Sequence, residues 1–178
     1  MFWLRFVNRL FKILNGETAP RQVAAGLAFG IIVGLTPTFS LHNLVVLFLI
    51  CIIRVNVSMF IFSSILVGIL SFLVNPVSHW LGILLLIDMG FLKPVWTALY
   101  NMPIIPLTGF NNTLLLGSLV ISLAVFYPAL LFGEKGIVHY RNFLKPKLDN
   151  TRLVRFIKKS KLYSWYAKRT GFGDIITK

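Results

Sequence analysis

Residues 22–56 read QVAAGLAFGIIVGLTPTFSLHNLVVLFLICIIRVN, two apolar runs separated by a polar interruption that contains a proline. The first run, 22–35, would form a helix of about 21 Å and the second, 41–53, one of about 20 Å, whereas the hydrocarbon core of a bilayer is about 30 Å thick. Each run is therefore too short to cross a membrane by itself. Two geometries remain open: a re-entrant hairpin, or one crossing helix that is kinked or broken at Pro37.

The interruption leaves backbone carbonyl groups near Pro37 without their usual helical partners. Such groups are tolerated at membrane depth only where they face protein or a water-filled cavity. Neighbouring polar side chains could supply hydrogen bonds to this backbone: Thr36, Thr38, Ser40, His42 and Asn43. We therefore predict that the interruption faces a packed or wet interior and not acyl chains.

The composition assigns most of the chain to a membrane. Of its 178 residues, 57% are hydrophobic and 13% are charged, and from 22 to 132 the only charged residues are Arg54, Asp88 and Lys93. A segment of that length with so few charges is typical of packed helices surrounded by lipid. The formal net charge of +13 comes from basic residues at the two ends. This pattern indicates a phospholipid membrane as the partner and not nucleic acid.

Three parts of the chain follow from this distribution. Residues 1–15 alternate aromatic and basic side chains at helical spacing, which predicts an amphipathic helix lying in the headgroup region. Residues 16–132 form the predicted membrane domain, and 133–178 form a basic cytoplasmic tail in which 150–170 make a second amphipathic helix. Because basic flanks remain in the cytoplasm, both termini lie there. The number of crossings is then even, either four or two with re-entrant pieces.

The predicted fold class is all-α, a polytopic helical membrane protein with proline-broken or re-entrant helices. Residues 57–74 form a span that stops at Asn75-Pro76, and 111–132 form the clearest spanning helix. Between them, 93–110 hold prolines and aromatic residues and predict an interfacial loop. In the first apolar run, three glycines recur every four residues and predict a flat helix face for close packing; they are Gly26, Gly30 and Gly34.

A weak internal repeat relates VGLTPTFSLHNLVVLFLI to SFLVNPVSHWLGILLLI. The matching positions are Pro37, Ser40 and His42 in the first segment and Pro76, Ser78 and His79 in the second. Paired proline-broken segments point to a binding site at the interface of two halves, as in transporter folds. The alternative is two unrelated loops capped by serine and histidine side chains.

The charged and amide residues inside the membrane domain each allow two interpretations. Asp88 pairs with Lys93 at the membrane interface, or it lines a transport path with His42 and His79. Arg54 extends to the headgroups from a helix end, or it holds a lipid phosphate through a bidentate contact. Asn56 caps the turn that follows Arg54.

Catalytic chemistry finds little support in the sequence. The three histidines and five acidic residues form neither HExxH nor another recognised ligand spacing. Serines in the apolar segments have no histidine and acid nearby in sequence. The single cysteine, Cys51, cannot form an internal disulfide and is interpreted as a small buried hydrophobic residue. We predict a non-enzymatic protein without a metal or a cofactor.

Three motifs in order, GLAFGIIVGLTP, RVN at 54–56 and NP at 75–76, resemble a widespread bacterial integral-membrane family of unknown function. The resemblance covers residues 20–92 and marks Pro37, Arg54, Asn56, Asn75 and Pro76 as the positions that carry it. It implies the inner membrane of a bacterium with two membranes. The subgroup that this chain resembles is often encoded beside a large envelope protein of the lipid-transfer type.

The resemblance therefore implies an inner-membrane subunit that anchors or feeds such a lipid-transfer partner. The alternative function is a small solute or ion transporter or channel that acts alone. Neither function requires catalytic residues, and the resemblance supplies none.

Overall fold

The polar interruption separates two helices in the structure, a computed structural model that describes residues 18–145. The α-helices are α1 Pro20–Leu35, α2 Leu41–Ile52, α3 Val57–Ile83, α4 Lys93–Tyr100 and α5 Thr113–His139. A π-helical turn, Leu84–Asp88, continues α3, and another, Tyr140–Leu144, continues α5. Short 3-10 turns are Gly90–Leu92 and Ile105–Thr108. The predicted all-α class is confirmed for the described range, whereas the predicted helices over 1–15 and 150–170 lie outside it.

Helices α1 and α2 fold back on each other as a hairpin. The backbone N–H of Asn56, just beyond α2, donates to the carbonyl of Gln22, in the first turn of α1, over 3.0 Å. The chain therefore returns to its starting point after the interruption. The two apolar runs form separate helices that pack against each other, and not one helix that is kinked at Pro37. Side chains from both helices share one apolar cluster with Phe60 of α3: Phe29, Ile32, Val46 and Ile50.

Helix α3 runs parallel to α1, along the glycine face that the sequence predicts. Gly26 lies against Asn56 and Met59, and Gly34 lies against Val67. Midway along this face, a methyl group on Gly30 would lie 2.6 Å from Cβ of Ser63. The hydroxyl of Ser63 donates to the carbonyl of Leu27 over 2.9 Å. The prediction of a close-packed small-residue face is confirmed.

The prediction that a helix ends at Asn75-Pro76 is wrong, because α3 continues through both residues to Ile83. Pro76 removes one backbone hydrogen bond, the one to the carbonyl of Phe72, and helices in lipid tolerate such a loss. Contacts on both sides of Pro76 hold the helix together: Ser63 packs on α1, and Gly82 packs on α5. Since Pro37 breaks the helix and Pro76 does not, the two segments of the predicted repeat have different structures.

Helix α5 runs antiparallel to α3 and returns to the end where α1 begins. A Cβ atom on Gly82 would overlap the backbone of Thr113, and one on Gly117 would overlap the carbonyl of Ser78. Further along α5, Phe126 contacts the ring of Phe29 with centroids 5.0 Å apart. Still further along α5, Gly133 packs against Ala24 of α1. These contacts, taken in order along α5, run from the end of α3 back to the beginning of α1.

The 93–110 segment contains a helix, α4, where the sequence predicts a loop. Pro94 lies in the first turn of α4, where its missing N–H costs nothing. The ring of Trp96 stacks on Phe110 with centroids 5.9 Å apart. This aromatic contact fixes a segment that would otherwise be too short to be stable by itself.

Burial is concentrated in α1 and not in the long helices. Val23, Ala24 and Ala28 are fully buried, whereas the most apolar window of α3 is only 17% buried and that of α5 28%. Two helices are long and apolar enough to cross a membrane, Val57–Asp88 and Thr113–Phe143, each including its π turn. The two shorter apolar helices are α1 and α2.

The chain divides into two compact units, one of which is Arg21–Gly133 and holds the packing described so far. The other combines Met1–Pro20 with Glu134–Lys178. Within the described part of this second unit, Arg141 Nη1 donates to the carbonyl of Thr18 over 2.9 Å. The ring of His139 stacks on Phe143 with centroids 4.9 Å apart.

Candidate functional site

The hairpin tip, residues 36–43, is organised by the buried side chain of Asn43. This residue is 3% exposed, and its Nδ2 donates to the carbonyl of Pro37 over 2.9 Å and, more weakly, to that of Thr38 at 3.4 Å. Its own N–H donates to the carbonyl of Ser40 over 3.0 Å. The amide side chain of Asn43 thus binds backbone carbonyl groups that have no helical partner next to Pro37. The prediction that neighbouring polar side chains bind this backbone is confirmed.

Thr36 links the end of α1 to Asn43. Its Oγ1 lies 2.8 Å from the carbonyl oxygen of Ile32 and 2.9 Å from Oδ1 of Asn43. Both are acceptors, so the single hydroxyl proton serves one of them at a time. Thr36 is 5% exposed, which places this shared bond inside the protein.

Ser40 and His42 form the outer part of the hairpin tip. Ser40 Oγ donates to the carbonyl of Pro37 over 2.8 Å and lies 3.0 Å from His42 Nε2. Because the hydroxyl has one proton, donation to Pro37 leaves Ser40 to accept from Nε2–H. His42 Nδ1 is then an acceptor, and it is buried without a partner in the described part of the chain. Phe39 is fully exposed beside them.

The hairpin base carries Arg54 and Asn56. The side chain of Asn56 accepts from the N–H of Met59 over 2.9 Å and caps the helix α3, where the sequence predicts an asparagine that caps a turn. Its main chain closes the hairpin through the bond to Gln22. Arg54 is exposed, in agreement with either a headgroup or a phosphate contact. At the hairpin base, Asn56 therefore connects α1, α2 and α3, and the exposed cation Arg54 lies two residues before it.

Asn75, Pro76 and His79 lie on the later part of α3. Asn75 is half-buried, and Pro76 and His79 are exposed. His79 Nδ1 lies 2.7 Å from Thr113 Oγ1 and joins α3 to α5. Next to it, Ser78 is 1% exposed and its hydroxyl has no partner among the described residues. These residues build a helix–helix contact and not a second copy of the hairpin tip.

Asp88 and Lys93 are both exposed at the end of α3 and the start of α4. The predicted ion pair between them is wrong, since neither has an ion pair in the described part of the chain. The 3-10 turn Gly90–Leu92 lies between the two residues in sequence. Both charged side chains are therefore free to contact groups outside the described part of the chain.

The structure brings together only some of the candidate residues. Pro37, Ser40 and His42 contact one another through hydrogen bonds, whereas none of these joins them to His79 or Asp88 within residues 18–145. Sequence reasoning did not identify Thr113 as the partner of His79, because 34 residues separate the two. No group of three metal-ligating residues occurs in the described range.

Comparison with known proteins gives a family but no activity. Residues 4–143 match the model of a family described as "Uncharacterized protein conserved in bacteria (DUF2062)". A relative from Treponema pallidum (strain Nichols), described as "Uncharacterized protein", is 28% identical over 162 residues, which cover 89% of this chain and 98% of the relative. No solved structure matches the chain.

Proposed function

This chain belongs to the bacterial family DUF2062, and from that premise we propose that it is a non-enzymatic inner-membrane subunit that anchors or feeds a large envelope-spanning lipid-transport partner. One observation carries the proposal, the bond between the N–H of Asn56 and the carbonyl of Gln22 at the hairpin base. That bond makes α1 and α2 a unit that enters and leaves a membrane on the same side.

The membrane arrangement follows from helix lengths. Helix α1 has 16 residues and α2 has 12, which correspond to about 24 Å and about 18 Å against a hydrocarbon core of about 30 Å. Helices α3 and α5 are long enough to cross. The protein then has two crossings and one re-entrant hairpin. Most of the surface of α3 and α5 is apolar and exposed, as lipid contact requires.

The distribution of charge supplies the orientation. Two exposed arginines lie near the bond between Gln22 and Asn56 in sequence: Arg21 directly precedes Gln22, and Arg54 lies two residues before Asn56. Helix α5 returns to that same end, where Gly133 packs on Ala24, and the sequence beyond it is strongly basic. By the positive-inside rule the hairpin base faces the cytoplasm. The end that carries α4 then faces the periplasm.

Lipid handling is supported by the outer helix of the hairpin. Helix α2 exposes a row of large apolar side chains, which are Leu44, Val45, Leu47, Phe48, Leu49 and Ile52. The ring of Phe39 at the hairpin tip is exposed, and α2 contacts the 3-10 turn Ile105–Thr108. A protein wall that stops part-way through the bilayer gives lipid lateral access to the bundle. In the proposed role, this opening delivers lipid to the partner.

The transporter alternative has weaker support in the geometry. It requires His42, His79 and Asp88 along one path. His42 is bonded within the hairpin tip, His79 is bonded to Thr113, and Asp88 is exposed at the end of α3. The polar groups of the hairpin tip are used largely by one another, which leaves few of them for a solute.

The proposed role is tested by deleting the gene in its own bacterium and restoring it in a second strain. The deletion should change outer-membrane phospholipid content and permeability, and restoration should reverse both changes. Purification in mild detergent should recover a large envelope protein with the chain. Unchanged envelope lipids together with no large partner would refute the role. Solute flux through vesicles that contain only this chain would favour the alternative instead.

A further inference from the structure

A cleft of about 340 Å³ lies where α4 packs against the end of α3 and the segment that leads into α5. Its apolar lining is formed by Leu86, Ile87, Trp96, Tyr100 and Phe110. Trp96 Nε1 donates to the carbonyl of Leu85 over 2.9 Å, and its ring stacks on Phe110. Tyr100 meets the same Phe110 ring edge-on with centroids 6.5 Å apart. The wall is therefore held in shape by its own contacts.

The polar groups of the cleft carry no charge. They belong to Thr97, Asn111 and Thr113. Clefts of about 300–1,000 Å³ that combine an apolar lining with a few polar groups are the usual form of sites for small ligands. A lining without charge and rich in aromatic carbon suits a hydrocarbon chain better than a hydrated solute.

Two opposite charges lie close in sequence to residues that line this cleft. Asp88 directly follows the lining residue Ile87, and Lys93 lies one helical turn before Trp96 and Thr97. They are the only charged residues between Arg54 and Glu134. Both are exposed, and neither is paired within the described range. A charge at the end of a membrane-spanning segment can reach the headgroup region and contact the charges of lipid there.

From these features we infer that the cleft holds one acyl chain of a phospholipid with an amine-bearing headgroup. The ammonium group contacts Asp88, and the phosphate contacts Lys93. The aromatic side chains of Trp96 and Tyr100 suit the level where headgroups meet acyl chains. The inference rests on the membrane arrangement proposed above and adds a lipid class and a site at the end of the bundle opposite the hairpin base.

Fluorescence quenching of single-tryptophan proteins tests the inference in the full-length chain. The sequence has four tryptophans. The test protein keeps Trp96 and replaces Trp3, Trp80 and Trp165 by Phe, and the matched control keeps Trp80, which is 61% exposed. Each is reconstituted in phosphatidylcholine vesicles with a small fraction of brominated phosphatidylethanolamine, phosphatidylglycerol or phosphatidylcholine. Bromine atoms on the acyl chain quench a tryptophan that they contact.

We expect brominated phosphatidylethanolamine to quench Trp96 roughly two- to fivefold more effectively than the other two lipids, the size expected for ion pairs at an exposed site. Trp80 should be quenched equally by all three. Asp88→Asn should remove the preference, because Asp88 contacts the amine. Lys93→Gln should instead reduce the quenching of Trp96 by all three lipids, because each of them carries the phosphate. Both positions are exposed, so the variants should fold. Mass spectrometry of lipid that co-purifies in mild detergent should show less phosphatidylethanolamine for each variant.

Two results would overturn the inference, and they differ in what else they refute. If Trp96 and Trp80 give the same quenching with every lipid, the cleft has no selective lipid and the membrane arrangement still stands. If no lipid quenches either tryptophan, the membrane arrangement fails and the inference fails with it.

Discussion

Replacing Asn43 by Ala should destabilise the hairpin more than any other single change at its tip. The change removes the bond from Nδ2 to the Pro37 carbonyl at 2.9 Å, the weaker one to the Thr38 carbonyl at 3.4 Å, and the acceptor for Thr36 at 2.9 Å. The last of these is shared with Ile32, so we count about two full bonds. At about 1 kcal/mol each in water and about 0.6 kcal/mol in lipid, the expected loss is about 1–2 kcal/mol.

A matched control is available at the same carbonyl. Ser40→Ala removes the other donor to the Pro37 oxygen and the acceptor for His42 Nε2, from a half-buried position. Because this position is less buried than Asn43, the change should cost less, about 0.5–1 kcal/mol. Both variants are measured by unfolding the purified protein with increasing sodium dodecyl sulfate in mixed micelles, followed by circular dichroism. The reasoning is refuted if Asn43→Ala is as stable as Ser40→Ala or the unmodified protein.

Three further substitutions test the joints between helices. Gly82→Ala places a methyl group on the backbone of Thr113 and should lower the free energy of unfolding by about 1–3 kcal/mol. The control Gly136→Ala, where a methyl group meets nothing within 4 Å, should be neutral or stabilising, and equal effects of the two changes would contradict the packing of α3 on α5. Asn56→Ala should cost about 1 kcal/mol by removing the cap on Met59, while Asn56→Asp retains the acceptor and should cost less; a reversed order would argue against capping. In a double-mutant cycle, His79→Ala and Thr113→Val should show a coupling of about 0.6 kcal/mol, and a coupling near zero would remove their hydrogen bond from the account.

Local signals in the sequence predict the first half of the hairpin well. The glycine spacing of α1 identifies its packing face, because small residues at every fourth position have that effect wherever the partner helix lies. Pro37 is accompanied by polar side chains within reach of the opened backbone, so both the break and its hydrogen bonds are readable from the chain. Asn56 caps the next helix from three residues away, which is also a local event.

What the sequence does not reveal depends on contacts between distant residues. Pro76 is embedded in a helix because Ser63 and Gly82, on either side of it, pack on different partners. His79 has its partner 34 residues away, and Trp96 stacks on Phe110 only because α4 folds against the segment that leads into α5. The repeat is inferred from the order of proline, serine and histidine residues alone. That order does not reveal that one segment forms a hairpin tip and the other a contact between two helices.

The central claim is that α1 and α2 enter and leave the membrane on the same side, and cysteine labelling tests it most directly. In a Cys51→Ser background, single cysteines replace Arg21, Arg54 and Asn101, all of which are exposed. A membrane-impermeant maleimide is applied to spheroplasts and then to opened membranes. The hairpin predicts that positions 21 and 54 react only after the membrane is opened, whereas position 101 reacts in intact spheroplasts. Labelling of positions 21 and 54 from opposite faces would contradict it.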